Sequence, residues 1–593
     1  MAPPASEAPA VDIEVKRLMH LYLAGEYDRL SALFLKVFEH FDRTSYLSLT
    51  DSNRASLLRF LKIFLTLFTQ PDYLIPDGFI LPFIKINYLL SNLLAATPFK
   101  NTDGFLALLG YQPQNFIKIL TLYSARNTLR FDRKMLFDTN AQLASFWYNE
   151  FCTVYKTGLA SEEVANHLAE HLAYRDERAT LSLDLQEGYF ASTYLGGSVD
   201  KEVKPFLNQI VRRSLTRLTC DNTPNPNKIA VFSDLWFPLH SVYRNYAAFV
   251  KELKKKFHLT FFHSLARKES LDTSMFDEVH QLPFTNNVLN VDRLLTNDFQ
   301  AIYYPDIGMT LPSIMLANHR IAPVQFCSPG HSVSTYGADI DYFISGRDVE
   351  IPDEPEDNYS ERLVLLPGMG VIHNKPLYDP TGVKKTTSAI LVNCPWMGQK
   401  INWRFLATFR KLLDRLDRQV RFRLFPGTVS KDNSYIPFVA EVREALGQNA
   451  PVDIMPYTPY QRYMNIMEEG DLTLDSFHFS GCNTVAESMF IRKPTLVWEG
   501  DKWYNRIGPS MLRMAGLPEL VAQSEDEYLE KAERLIKDDD YREDLAARLR
   551  ETDLNATVFS TSEAPVFLRA VEYLIENHET LKAEGERKAI VIE

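Results

Sequence analysis

The stretch SFHFSGCNTVAESMF, residues 476–490, brings Gly481, Asn483, Thr484 and Glu487 together just after the strand-like DLTLDS. Asn483 or Thr484 makes a good helix cap, and the spacing predicts a helix that starts near Thr484 with Glu487 in its first turn. A helix N-terminus presents unpaired N–H groups and a partial positive charge, which attract phosphate. Gly481 would let backbone come close to a ligand. Glu487 stands where it could hold the two hydroxyls of a ribose. Such a site would seat a nucleotide diphosphate without a metal. The plainer alternative is a well-capped helix with a favourable first-turn carboxylate.

Lys400, in CPWMGQKINWRFL, lies between a strand and the next helix. It is placed to reach the same phosphates, or else marks a solvated helix start. MPYTPYQRYM (455–464) is another strand-to-helix loop, whose Tyr457, Thr458 and Tyr460 would frame a base or simply pack. Upstream, DLWFPLHSVYRNY places His240 at a strand-to-helix turn, and CSPGHSVST places Gly330 and His331 at another. A lone histidine is usually structural. Two at the carboxyl edge of one sheet are more telling, because imidazole exchanges a proton near neutral pH.

Other chemistries find little here. Asp339 and Asp341 form a D-x-D pattern used by metal-dependent sugar transferases, but they open the apparent strand DYFISG and read as structural. No His/Cys/Asp cluster has metal-ligand spacing. Neither G-x-x-x-x-G-K-[ST] nor G-x-G-x-x-G occurs. The five cysteines are far apart, and none forms a C-x-x-C pair. That usage suits a reducing compartment, so a cytoplasmic location is expected. A net charge of -12 without a long basic run disfavours general nucleic-acid binding. No apolar run reaches the roughly 18 residues a membrane helix needs, so no membrane insertion is expected.

The elements that must position these residues follow from periodicity. With 593 residues the chain is long enough for several domains. Residues 1–10 read as a disordered tail. Residues 11–222 carry apolar positions at helical spacing with Gly and Pro at the joints, an all-helical domain without clear repeats. Near DNTPNPNK (221–228) the texture changes. KIAVFSDLW, HLTFFHSL, AIYYPDIG, APVQFCSPG and DYFISG read as strands with helices between them, a first Rossmann-like unit over 226–378. AILVNCPW, VRFRLFPG, DLTLDS and KPTLVWEG begin a second such unit, which with its C-terminal helices spans 385–593. Strands alternating with helices imply parallel sheets, an α/β fold. Ligands of such sheets bind beyond the carboxyl ends of the strands, commonly between the two units.

Taken together, these stretches resemble the cytoplasmic protein glucosyltransferases that modify bacterial adhesins on asparagine. Those enzymes belong to glycosyltransferase family 41, with the O-GlcNAc transferases. The likeness runs over about 228–570, through HSVYR, FDEVHQLPF, AIYYPDIGMTLPSIMLANHRIAPVQFCSPGHSVSTYGADIDYFI, ERLVLLP, QKINWRFL, YTPYQRYM and GCNTVAE. A helical N-terminal domain without tetratricopeptide repeats is similar to the adhesin-modifying branch.

The resemblance implies a GT-B fold, with the acceptor on the first Rossmann-like unit and a UDP-sugar on the second. It implies inverting transfer of a hexose, glucose or GlcNAc, with no metal or other cofactor. The acceptor would be a polypeptide such as an adhesin, with Asn in N-x-[ST] as the first expectation. Transfer to Ser/Thr of a surface protein such as flagellin, or a non-catalytic binding protein, are the alternatives. By resemblance, Lys400 falls on the diphosphate, Asn483 near diphosphate and sugar, and Glu487 on the ribose, where the family has an aspartate. Tyr457 stands where the family has a histidine beside the nucleotide. His240 matches a histidine of the acceptor cleft, which would orient the acceptor or take its proton. Gly330 and His331 match a GHP turn facing the donor, with Ser332 in place of the proline. An amide nitrogen is a poor nucleophile, and a histidine base is chemically easier to accept for a hydroxyl.

Overall fold

In the computed structural model, residues 15–43, 51–215, 223–266, 270–285, 288–331, 333–427 and 433–593 are described. The expected tail (1–10) and Ser332 lie outside them. Residues 15–43 and 51–214 contain helices and short 3-10 turns. Their core is aromatic: Phe64 meets Phe34 at 5.0 Å, Phe38 at 4.8 Å and Phe68 at 4.8 Å between ring centroids. The helical spacing of these residues puts them on one face of each helix, and burying that face holds the helices together.

The first sheet has eight strands, all paired in parallel. Within it Asn225–Phe232 lies between His258–His263 and Phe299–Tyr304. Numbered by chain position, the strand order is 3-2-1-4-5-6-7-8. The second sheet has six parallel strands in the order 3-2-1-4-5-6, with Ile390–Cys394 between Val420–Leu424 and Leu472–Leu474. This is the strand order of a dinucleotide-binding fold. Every residue of Ile390–Cys394 is buried, as parallel strands covered on both faces must be. The α/β expectation thus holds as two doubly wound sheets after a helical region.

The C-terminus departs from the sequence reading, which kept all of 385–593 in the second unit. The last helix, Ala564–Glu584, packs on the first sheet, where Phe567 stacks on Phe249 at 4.5 Å. The terminal strand Ile590–Val591 then pairs with Arg362–Leu366 of that sheet. The chain therefore crosses the cleft twice, which covalently couples the two units.

The helical region touches both units. Tyr189 donates its hydroxyl proton to Thr335 O at 2.9 Å on the first. Asn92 donates to Asn433 Oδ1 at 2.9 Å on the second, beside a buried Arg126–Glu441 ion pair. Among the described residues no single helix is long and apolar enough to cross a membrane.

Candidate active site

In each sheet the strand order reverses beside the first strand, and loops from the two flanking strands diverge there to leave a crevice. In the first sheet those strands lead to the His240 turn and to Asp306–Gly308. In the second they lead to the Lys400 turn and to the loop before Asn483. The two crevices face each other and merge into a cavity of about 830 Å³. Its lining includes every site residue expected from the sequence: His240, Gly330, His331, Lys400, Tyr457, Thr458, Tyr460, Asn483, Thr484 and Glu487. Asp339 and Asp341 are not among the lining residues and pair with Arg320.

The local geometry corrects several roles. The helix spans Asn483–Phe490, and its cap residue is Cys482, without a side-chain cap bond. Asn483 is therefore the first helical residue rather than the cap, and Glu487 lies in the second turn. Freed from capping, Asn483 Oδ1 and Thr484 Oγ1 are buried with no hydrogen-bond partner. Gly481 is needed for a reason other than ligand approach: a Cβ there would lie 2.1 Å from Thr484 Oγ1. Its N–H is held by Asp475, at 2.9 and 2.8 Å to the two carboxylate oxygens. Burial raises Asp475 to about 6, against the pull of Lys400.

Lys400 ends the turn Gly398–Lys400 and donates from Nζ to Ser480 O at 2.8 Å. Its ammonium also sits 5.0 Å from the Phe479 ring centroid. Burial lowers its pKa, while Asp475 opposes the shift. Glu487 is engaged from two sides: Arg244 Nη1 lies 2.7 Å from its Oε1, and Tyr460 donates its hydroxyl proton at 3.0 Å. Tyr460, expected to frame a base, thus positions the carboxylate. Thr458 turns its hydroxyl onto Pro456 O at 2.8 Å. Tyr457 is 45% exposed, which places it at the lip rather than in the depth.

His240 caps the helix Ser241–Leu253, its Nδ1 accepting the Val242 N–H at 3.2 Å. Burial lowers its pKa to about 4. The ring is then neutral at pH 7, and because Nδ1 accepts, the proton sits on Nε2. Of the two roles expected for it, the geometry favours holding a group by donation over taking a proton. Gly330 is forced by packing: a Cβ there would be 2.5 Å from both Asp306 C and Ile307 N. His331 is buried, with both ring nitrogens unpartnered and its pKa held well down by burial.

Sequence reasoning missed two groups. Arg244 is one; its Nη2 is also buried without a partner. The other is an aromatic wall from the helical region. Tyr155, Phe190 and Tyr194 lie nearly parallel, with Tyr155 6.0 Å from Phe190 and 5.5 Å from Tyr194. Phe190 meets His331 at 4.1 Å, and Tyr194 meets Phe479 at 5.0 Å. Buried polar atoms without partners are rare and cost free energy unless a ligand meets them. Arg244, His331, Asn483 and Thr484 line the cavity, and each also carries a buried polar atom without a close hydrogen-bond partner.

No family model matches the chain. Over 560 residues it is 23% identical to the UDP-glucose:protein N-beta-glucosyltransferase of Actinobacillus pleuropneumoniae serotype 5b (strain L20), covering 86% of this chain and 88% of that protein. The chain is a homologue of that enzyme. The match takes in the helical region as well as both sheets, since it covers far more than the α/β units alone. Over 237 residues the chain is also 27% identical to a probable UDP-N-acetylglucosamine–peptide N-acetylglucosaminyltransferase SPINDLY of Oryza sativa subsp. japonica, covering 39% of this chain and 25% of that protein. Among solved structures, an O-GlcNAc transferase mutant of Thermobaculum terrenum superposes with a TM-score of 0.60 at 16% identity, covering 93% of this chain and 99% of that one. That likeness establishes the GT-B arrangement of the two units.

Proposed function

We propose that this chain is a protein glycosyltransferase that moves a hexose from a UDP-sugar to a polypeptide side chain, with Asn in N-x-[ST] as the leading acceptor. The observation that carries the reading is homology along 86% of the chain with a UDP-glucose:protein N-beta-glucosyltransferase. Its support in this molecule is the cavity at both strand-order reversals, lined by Lys400, Asn483 and Glu487.

In this reading the diphosphate lies at the N-terminus of Asn483–Phe490, where free N–H groups and the helix dipole stabilise negative charge. Lys400 adds a full positive charge there. As the acceptor attacks the anomeric carbon, the bond to the diphosphate breaks on the opposite face, the configuration inverts, and the acceptor's proton passes to water or to the departing diphosphate. Charge grows on the leaving UDP, so fixed donors aimed at it lower the barrier, the work a metal does elsewhere. Glu487, held by Arg244 and Tyr460, takes the ribose. His240 donates from Nε2 to the acceptor or the sugar and fixes its direction. Tyr457 and Thr458 lie beside the base. The aromatic wall of Tyr155, Phe190 and Tyr194 gives the cavity an apolar side, and the acceptor is a polypeptide, an adhesin or another surface protein.

The test is UDP release by the purified chain with a peptide carrying Asn, Ser and Thr, with and without EDTA. Release that needs the peptide and survives EDTA supports metal-free transfer. No UDP binding would favour a non-catalytic role.

A further inference from the structure

We infer that the helical region is part of the donor seat itself, with Gly158 and Gly196 as the positioning residues through which its backbone fixes Lys400. This rests on the UDP-sugar reading above and adds which part of the chain sets the geometry of that site.

Two loops of the second unit meet at the Lys400–Ser480 hydrogen bond, 2.8 Å long. One is the turn Gly398–Lys400, and the other runs from 475 to 482. The helical region touches each with a glycine in left-handed backbone. Gly158 has φ +94, and a Cβ there would lie 2.7 Å from the carbonyl oxygen of Gly398. Gly196 has φ +79, and a Cβ there would lie 2.9 Å from Cε1 of His478. A side chain at Gly158 must push the facing backbone away, and one at Gly196 must displace the His478 ring.

Backbone hydrogen bonds reinforce the first contact. Leu159 N–H donates to Ile401 O at 2.9 Å, and Trp403 N–H donates to Leu159 O at 2.8 Å. They form a parallel bridge with Leu159 opposite Asn402. Asn402 then ties the bridged segment to the second loop, donating from Nδ2 to Phe477 O at 2.8 Å. Its Oδ1 meanwhile caps the next helix, accepting from Phe405 N at 2.9 Å. The contacts close a circuit: Gly158 on Gly398, Asn402 on Phe477, His478 on Gly196, and Ser480 on Lys400. The Lys400 ammonium makes the last of these contacts. A cavity of about 250 Å³ lies beside these contacts, lined by Leu159, Gly196, Asn402 and His478. The helical region therefore holds the two loops at chosen points, and both points flank the charge that would meet the diphosphate.

The experiment uses the full chain with Gly158→Ala and Gly196→Ala, and Gly197→Ala as control. Gly197 has φ +65, so alanine brings similar backbone strain, but a Cβ there meets nothing within 4 Å. UDP affinity is read by calorimetry, with thermal unfolding in parallel. The first two variants are expected to bind UDP about tenfold more weakly or worse, and the control to bind as the parent does. Melting temperatures that fall in all three while UDP affinity stays unchanged would overturn the inference. Hydrogen exchange on the unmodified chain gives a second test that needs no variant to fold. UDP is expected to slow exchange over 157–160 and 194–198. Protection confined to 398–403 and 475–487 would overturn the inference. If the unmodified chain bound no UDP, the donor reading would fall and take this inference with it. UDP binding with no response in the helical region would sink this inference alone.

Discussion

Arg244 Nη1 and Glu487 Oε1 lie 2.7 Å apart across the cleft, although 243 residues separate them in the chain. Arg244 belongs to the helix after the first strand of the first sheet, Glu487 to the helix after the fourth strand of the second. Both side chains are buried, so bulk salt screens the pair weakly. The carboxylate assigned to the ribose is therefore already oriented by the opposite unit.

Removing one partner strands the other charge in a buried place. Glu487→Ala should cost up to about 3–5 kcal/mol of stability, and the double variant with Arg244→Ala should cost less than the sum of the singles. Urea denaturation of the four proteins checks this. Additive losses would mean the pair is not coupled.

Lys400→Ala should lower the rate of UDP release by about 10²–10³-fold, the usual effect of deleting one donor to a developing anion. The loss also leaves the buried Ser480 O without its donor, so a fall in stability of about 1–3 kcal/mol should accompany the lower rate. Steady-state rates with circular dichroism as a control would test both halves. A rate within a few-fold of the parent would remove Lys400 from the mechanism.

His240 gives a pH prediction. Burial takes its pKa to about 4, so the ring stays neutral through the range from pH 5 to 8. The folded-state value lies below the unfolded one, near 6.5. Its contribution to stability is therefore complete above pH 6.5 and falls as pH drops toward about 4. The rate should show no His240 limb between pH 5 and 8, and His240→Gln, which keeps a distant N–H donor, should retain more activity than His240→Asn. A limb near pH 6.5 that vanishes in both variants would instead make His240 a base.

Gly330→Ala drives a Cβ into the backbone of Asp306 and Ile307 and should destabilise the chain by about 1–3 kcal/mol or more. His331, next in sequence, would shift with it. A melting temperature and UDP affinity equal to the parent's would contradict the packing account.

Much of this was legible in the sequence, for physical reasons. Strands such as Ile390–Cys394 are buried on both faces and read as continuous apolar runs. Short edge strands such as Val521–Ala522 and Ile590–Val591 carry no such signal. Glu487 stood out by its place at a helix start, but its partner Arg244 could not, because nothing local links the two. Tyr155, Phe190 and Tyr194 fall at ordinary positions in the helical region, where aromatics read as core. The tautomer of His240 depends on one cap bond that forms only in the fold. Their strand-to-helix positions picked out Lys400 and Asn483, and the family resemblance gave each its role.

The most direct measurement is mass spectrometry of a peptide carrying an N-x-[ST] triplet and separate Ser and Thr residues. It would be incubated with the purified chain and UDP-glucose, UDP-galactose or UDP-GlcNAc, in EDTA. The account predicts a hexose or N-acetylhexosamine mass on the asparagine with one donor, matched by UDP release. A mass on Ser or Thr would keep the transferase and change the acceptor. No mass shift with any donor, and no bound UDP, would contradict the account.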